Sequence, residues 1–367
     1  MMEILVTKNN LLKSISLAGN VTSNKTNTLP ILGNILLETQ GEGQLRAAGT
    51  DLEVGLSTHV PCKVIKEGSI TIPAKKFQEI VRELPEGETE ISVAKNNSVT
   101  IRSGKAFFKI MGLSKEDFPK LPEIDEKTAI EFEQALVKES LELTSFAISN
   151  DETRYVLNGV LLSIKGNQVK FVATDGRRLA FMDRSFESPV TQNIEMIIPT
   201  KSVIELIKIL GWDGLMKVYP SKNQVVFEVG ETLVFSRVIE GSFPNYEQVI
   251  PKSEKTTSQA KREDFLQAVR RTALLTSADS PAVKLDFVKG KILISSRSPN
   301  LGEAKEEIHA EVKGEDIAIG FNPHYLLDVL KNLDTEQISF SLTDPDKPGL
   351  IKAKDGYQYV IMPMQLN

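Results

Sequence analysis

The side chains best suited to chemistry in this sequence are few and scattered. Residues 343–348 read TDPDKP, and the carboxylates of Asp344 and Asp346 have a spacing that could hold Mg²⁺. Asp-Pro and Lys-Pro pairs also make plain turns, and that is the preferred reading. Asp51 and Asp175 recur inside matching stretches, AGTDLE at 48–53 and VATDGR at 172–177. A catalytic carboxylate copied twice explains this less well than a shared turn capped by an Asp side chain. Cys62 is the only cysteine, which rules out an internal disulfide and fits a reducing cytoplasm. His59, His309 and His324 are dispersed, so no Cys/His set has metal-ligand spacing. There is no Walker loop, Ser/His/Asp set or zinc motif. The residues therefore predict no catalytic site, no metal and no cofactor.

What remains is charge. The formal net charge is -5, which taken alone argues mildly against a nucleic-acid binder. Net charge hides distribution, however, and an acidic exterior can coexist with a basic groove. Lys8, Lys13, Lys75, Lys76, Arg82, Lys138, Lys201, Lys208, Lys261, Arg262, Arg270, Arg271 and Lys331 all fall in or beside segments of helical pattern. Acidic residues crowd the intervening stretches, as at 86–90, 123–126 and 303–307. Either these cations are ordinary solvated helix faces, or equivalent helices face a common lumen and meet phosphate without reading sequence.

The elements that must position these charges repeat. Residues 29–37 (LPILGNILL) match 155–162 (YVLNGVLL), and 70–76 (ITIPAKK) match 197–201 (IIPTK). Each of the latter leads into a helical pattern, at 77–84 and 203–210. DFPK at 117–120 then matches SFPNY at 242–246. With the two Asp turns, four landmarks recur in one order at an offset of about 125 residues, which chance seldom preserves. A fainter third copy has a helix over 261–269, a strand at 283–287 and a strand, Pro and helix over 319–330, and closes on a strand over 357–364. The first helix spans about 9–18, with Leu11, Leu12, Ile15 and Ala18 forming one apolar stripe. Strands such as Gln224–Val229 are rich in branched and aromatic residues. Turns are expected at Lys95–Asn97, Asp175-Gly176 and Asp355-Gly356. Polar, Pro-containing stretches at 122–126 and 251–257 divide the chain into modules 1–124, 125–252 and 253–367. The fold class is α+β, with helices packed on antiparallel sheets. No apolar run approaches membrane-spanning length, and the N-terminus lacks a signal-peptide pattern.

With these landmarks in place, the chain resembles the β subunit of bacterial DNA polymerase III, the sliding-clamp family. LPILGN at 29–34, ATDGRRLA at 173–180, SFPNY at 242–246 and YVIMPM at 359–364 carry the resemblance, which covers all three copies. It implies a head-to-tail dimeric ring of six DNA-clamp modules around duplex DNA, helices lining the hole and sheets forming the wall. It implies a homodimer joint built from Phe108 and Ile110 on one side and Leu274 and Leu275 on the other. Lys76 and Lys105 would face Glu303, Glu306 and Glu307 there. Alternation over 106–110 puts Phe107 on the face opposite Phe108 and Ile110, so one face is core and the other interface. It implies a client-peptide pocket at Leu157, Thr174, Gly176, Arg177, Arg178, Leu179, Pro244, Val249, Val360, Met362, Pro363 and Met364. Met side chains suit a groove that repacks around varied partners. Contacts to DNA would come from Lys13, Lys25, Lys75, Lys76, Arg82, Tyr155, Lys201 and Lys208. Some positions depart from the family pattern. Arg177 stands where His is frequent, Gln365 where Arg is common, Thr26 where Arg is frequent and Val156 in place of a second Tyr, while Asn367 extends past the usual terminal Leu.

Three functions compete on these grounds: a DNA sliding clamp, an enzyme such as a nuclease or nucleotidyl transferase, and a repeat scaffold that binds only proteins. The clamp reading is preferred. Its partners would be double-stranded DNA regardless of sequence, the DNA polymerase III catalytic subunit, an ATP-driven clamp loader, other replication and repair proteins and a second copy of the chain, with no membrane and a cytoplasmic location. The family's subunit belongs to a polymerase holoenzyme, yet no residue set here would perform nucleotidyl transfer. Its role would be processivity.

Overall fold

The computed structural model describes residues 1–23, 29–41, 43–278 and 280–366. Six helices punctuate the described chain: α1 (Lys8–Asn20), α2 (Ala74–Glu83), α3 (Gln134–Thr144), α4 (Thr200–Ile209), α5 (Arg262–Thr272) and α6 (Pro323–Asn332). All but α3 fall within a few residues of the helical stretches read from the sequence above. Thr7 caps α1 by accepting a hydrogen bond from the Asn10 amide at 3.3 Å, and Asn322 caps α6 through the His324 amide at 2.9 Å. Pro73, Pro199 and Pro323 each stand where a strand gives way to a helix. Such prolines end a strand's pairing, and at the first helical turn they lack only an amide that had no partner.

Two compact units share the chain. The first comprises Met1–Ala135 and Ile204–Val238, and the second Leu136–Val203 and the residues from Ile239 onward. The central copy of the repeat is thereby divided between them. The physical reason lies in the sheets, since each half of that copy hydrogen-bonds to a neighbouring copy. In the first unit Thr232–Arg237 pairs with Val54–Pro61, and in the second Arg178–Pro199 pairs with Tyr357–Ile361.

The first unit holds two antiparallel sheets. One has five strands, in the order Lys63–Lys66, Met2–Thr7, Glu88–Val93, Ser98–Ser103 and Ala106–Met111. The other has eight, running from Ile130–Glu133 to Ser69–Pro73. A core between sheets and helices takes Leu11, Ile15 and Ala18 from α1 and Phe77, Ile80 and Val81 from α2. Against them pack Ile4, Ile91 and Ile101 of one sheet and Ile35, Leu37 and Leu45 of the other. Helix α1 lies close against the strand Gln44–Thr50 because Gly49 has no side chain, and it is tied to α2 by Gln78. A Cβ on Gly49 would lie 2.0 Å from the Ala18 carbonyl, and Gln78 of α2 donates to the Ile15 carbonyl at 2.8 Å.

The second unit holds one ten-stranded antiparallel sheet running from Gly159–Thr174 to Ile317–Phe321. Its last strand is Tyr357–Ile361, three residues shorter than the pattern suggested. Pro363 supplies no amide for pairing, and Met364 instead bridges to Gly320, its amide donating to that carbonyl at 2.8 Å.

Candidate functional site

The two Asp turns have the same construction. Asp51 Oδ1 accepts from the amides of Glu53 and Val54, as Asp175 Oδ1 does from Arg177 and Arg178. Thr50 Oγ1 accepts from the Leu52 amide and donates to the Val54 carbonyl. Thr174 Oγ1 does the same with the Gly176 amide and the Arg178 carbonyl. The carboxylates are spent on backbone amides, as the turn reading expected. The third residue of each turn has positive φ, +78° at Leu52 and +86° at Gly176. Asp344 likewise serves a turn, with its carbonyl accepting from the Lys347 amide and its carboxylate paired to Lys255 at 2.6 Å. Among the described residues no group of three or more His, Cys, Asp or Glu side chains could hold a metal ion.

The second turn sits on an elaborate support. Arg178 is largely buried. It pairs with Asp175 at 3.0 Å and Asp328 of α6 at 2.6 Å, donates to the Phe146 carbonyl at 2.8 Å and lies 4.5 Å from the Tyr325 ring centroid. Burial works against its charge, but Tyr359, Asp328 and Asp175 outweigh that and raise its pKa above the ordinary arginine value. Arg178 thus holds the turn from beneath, whereas Arg177 is exposed. Phe146, Tyr325 and Asp328 were not foreseen from sequence, because nothing local links them to position 178.

The tail joins this turn. Arg178 pairs with Ile361 and Leu179 with Val360, and the Met362 amide donates to the Arg177 carbonyl at 3.0 Å. Leu179 and Val360 are buried in one cluster with Val172 and Phe181, on which Val156, Phe243 and Tyr246 pack. Tyr246 was in the sequence as part of SFPNY. Burial pushes its hydroxyl pKa up to about 12, so it stays neutral against this surface. Leu157 is buried as well, while Met362 is 40% exposed, Val249 43% exposed, and Pro244, Gly176 and Arg177 also face solvent. The result is an apolar floor with an exposed rim of Met, Val, Pro and Arg. Pro363 and Met364 are half-buried where the tail turns toward Gly320.

The cations occupy helix faces unevenly. Lys13 of α1 and Lys75, Lys76 and Arg82 of α2 are exposed. Lys76 already pairs with Glu79 at 2.5 Å, and Lys208 of α4 with the buried Glu205 at 2.7 Å. Lys201 is half-buried and Tyr155 exposed. Lys25 and Thr26 lie outside the described residues.

Among the described residues, two of the sheet edges carry the positions expected at the subunit joint. Ala106–Met111 ends its sheet, with Phe108 and Ile110 leaning on the core and Phe107 and Met111 on the outer side. In Gly302–Gly314, residues 310–314 pair with Thr256–Lys261 and residues 302–309 with Lys291–Ser298, so among the described residues the other edge of 302–309 is open. That open segment carries Glu303, Glu306 and Glu307. Glu306 accepts from the Nε and one terminal nitrogen of Arg271, at 2.6 and 2.8 Å, which hold its carboxyl below the usual range. Glu303 pairs with Lys305 at 3.4 Å and Glu307 with Lys291 at 2.8 Å. Leu274 is 75% exposed just after α5, beside the half-buried Leu275, and Lys105 is exposed in the turn before Ala106.

Comparison with known proteins agrees with this anatomy. Three family models match in series: the DNA polymerase III beta subunit N-terminal domain at residues 2–122, the central domain at 131–245 and the C-terminal domain at 247–365. The chain is 34% identical over 371 residues to the beta sliding clamp of Proteus mirabilis, covering all of both chains. Among solved structures, the DNA polymerase sliding clamp of Bacillus subtilis superposes with a TM-score of 0.95 at 33% identity, and the Pseudomonas aeruginosa clamp bound to griselimycin with 0.94 at 33%, each covering both chains fully. On its fold, its three serial domains and its full-length likeness, the chain belongs to the DNA polymerase III β subunit family, the non-catalytic DNA sliding clamps of replication.

Proposed function

We propose that this clamp works as a head-to-tail ring of two chains, each of three modules bounded near 124 and 252, threaded by duplex DNA. The observation that carries this reading is that the expected joint residues fall on two dissimilar open edges, one at Ala106–Met111 and one at 302–309. A head-to-tail contact needs two different surfaces on one chain, and it closes when the rotation returns to its start after two steps. Phe108 and Ile110 would meet Leu274 and Leu275, with Lys76 and Lys105 opposite Glu303, Glu306 and Glu307. Unpaired strand edges otherwise invite aggregation, which gives a further reason to cover them.

Lys13, Lys75, Lys76, Arg82, Tyr155, Lys201 and Lys208 would meet the DNA through screened contacts, together with Lys25 of the segment outside the described residues. The turn and tail around Arg177 and Met362 would take short apolar peptides from the polymerase catalytic subunit, the clamp loader and other replication or repair proteins. A relative, the Pseudomonas aeruginosa clamp, has been solved bound to griselimycin. An exposed Met on a buried apolar floor suits varied peptide side chains. Holding a polymerase at the ring raises its effective concentration at the template, so each dissociation is followed by rapid rebinding. The single Cys62 fits a reducing cytoplasm; among the described residues no helix is long and apolar enough to cross a membrane.

Retention on DNA tests this. After loading, nicked circular DNA should keep the protein while the same DNA linearised releases it, and equal retention would refute a topological hold. Neutralising Lys13, Lys76, Lys201 and Lys208 together should weaken loading. Intact loading and processivity after that change would favour a scaffold that binds only proteins. Solution mass with negative-stain imaging checks the ring directly.

A further inference from the structure

Inside the chain, modules are joined twice by one kind of strand pairing. Thr232–Arg237 lies antiparallel to Val54–Pro61, with Phe235 opposite Gly55. Tyr357–Ile361 lies antiparallel to the start of Arg178–Pro199, with Val360 opposite Leu179. Each time, the closing strand of one module meets the strand that follows a hairpin turn of another. The repeat supplies three strands of each kind, and these junctions use two. Left over are the closing strand of the first copy, Ala106–Met111, and the 302–309 segment of the third, which follows Lys291–Ser298 as Val54–Pro61 follows Gln44–Thr50. Among the described residues both have an open edge.

The repeat also carries the register across. Gly104 and Gly230, at φ +56° and +55°, turn matching hairpins in which Ser103 pairs with Ala106 and Val229 with Thr232. Lys109 therefore holds the place of Phe235. On the accepting side, Leu45 and Ala47 enter the core with α1 and α2, so Thr50 and its partner Gly55 face away from those helices. In the third copy Glu306 faces α5 through Arg271, so Arg297 and its partner Glu303 face away and hold the places of Thr50 and Gly55. Lys109 then stands opposite Glu303, as Phe235 stands opposite Gly55. Antiparallel pairing from that point sets Phe108 opposite Ala304 and Phe107 opposite Lys305, with Lys105 level with Glu307 and Met111 level with Leu301. Charge selects the same alignment independently. A slip of two residues in either direction sets Lys105 or Lys109 against Lys305, and a slip of one turns Phe108 and Ile110 to the wrong face. In the single chain Phe107, Met111 and Leu301 are 58%, 59% and 54% exposed, and this alignment brings all three to one seam.

We infer that the contact between chains is a third copy of this junction, in the register that sets Lys109 opposite Glu303. Phe107 of one chain then covers Lys305 of the next and Met111 reaches Leu301, which gives the joint an outward apolar seam besides the inward one at Phe108 and Leu274. This rests on the head-to-tail reading, but it can fail separately. Disulfide trapping tests it in full-length protein carrying Cys62→Ser. With Lys109→Cys and Glu303→Cys on the same chain, oxidation should yield a covalent dimer on a non-reducing gel. The yield should rise about tenfold faster than for Lys109→Cys combined with Lys305→Cys or with Leu301→Cys, since diagonal positions lie beyond bridging distance. An equal or faster rate for either shifted pair overturns the register. A protein that is dimeric by sedimentation yet never cross-links through 109 and 303 overturns the strand pairing and leaves two-chain assembly standing. A protein that stays monomeric overturns both. Should the cysteine variants fail to fold, charge exchange reads the same contact. Lys109→Glu and Glu303→Lys should each weaken the dimer about tenfold over its two joints, and the double variant should recover most of that loss. Absence of recovery would overturn the pairing.

Discussion

Replacing Leu274 by Ala isolates the proposed subunit joint better than any other single change. Phe108 and Ile110 already lean on the core of their own unit, so truncating them would mix folding with assembly. Leu274 is 75% exposed in the single chain and contributes little to folding. Fully burying a leucine side chain is worth about 1.5–3 kcal/mol. Allowing for the exposed fraction and for the methyl that alanine retains, each joint loses about 1–1.5 kcal/mol. A two-chain ring has two equivalent joints, so complete dissociation reports about 2–3 kcal/mol, or a Kd weaker by about 30- to 150-fold. Sedimentation equilibrium across nanomolar to micromolar concentration measures this. Leu215→Ala, at another exposed apolar position outside the proposed joint, serves as the control. A shift of less than about threefold, or an equal shift in the control, would refute the assignment of the joint.

Arg178→Lys keeps the charge but loses the fork that bridges Asp175, Asp328 and the Phe146 carbonyl. With Asp328 partly exposed, the loss should be about 2 kcal/mol in urea unfolding, short of the full cost of breaking a buried pair. Client-peptide affinity should fall with it, and an unchanged affinity would mean that the turn needs no support from α6. Lys354 pairs with Glu139 and Asp334, each at 2.6 Å. Burial would raise the Glu139 pKa, but hydrogen bonds from Lys354 and Arg184 outweigh it and leave it lowered; Asp334 is lowered chiefly by its bond to Lys354. Depressed carboxylates stabilise above their unfolded pKa of about 4 and lose that contribution as pH falls through the folded value. Lys354→Met should therefore cost stability at pH 7 and little at pH 3, and equal losses at both would exclude the linkage. On the helix faces, Lys75→Gln should reduce the salt dependence of DNA association more than Lys76→Gln, because Glu79 already offsets Lys76.

Most elements were legible because period and punctuation agreed. The apolar stripe of Leu11, Ile15 and Ala18 marks α1, and the paired strand-Pro-helix landmarks mark α2 and α4. The role of Asp51 and Asp175 was legible for a different reason, since two copies of one motif had to share one local cause. What sequence could not convey was long-range partnership. The division of the central copy depends on Phe235 meeting Gly55 and Val360 meeting Leu179, pairings between residues some 180 positions apart. The support of Arg178 by Asp328 has the same origin, as does the change of partner along Gly302–Gly314, from Lys291–Ser298 at its start to Thr256–Lys261 at its end. The strand over 357–364 stopped early because the alternation that predicted it continues past Ile361, whereas the pairing does not.

The uneven pairing of the helix cations bears on how such a ring would move. A protein held by affinity gains from every unpaired cation, since each phosphate neutralised releases counterions and deepens the bound state. In a ring held by closure, that same depth becomes a barrier to each step along the duplex. On the proposed DNA-facing role of Lys76 and Lys208, Glu79 and Glu205 beside them would keep the attraction shallow at positions that would otherwise bind firmly. Retention would come from the two joints, whose apolar contacts salt does not screen. Raising ionic strength should thus speed sliding of a loaded ring without releasing it from circular DNA, whereas weakening the joint at Leu274 should release it without changing the sliding rate. Tracking single labelled rings on tethered circular DNA separates the two. Salt-driven loss at native joint strength would show that phosphate contacts, and not closure, hold the clamp in place.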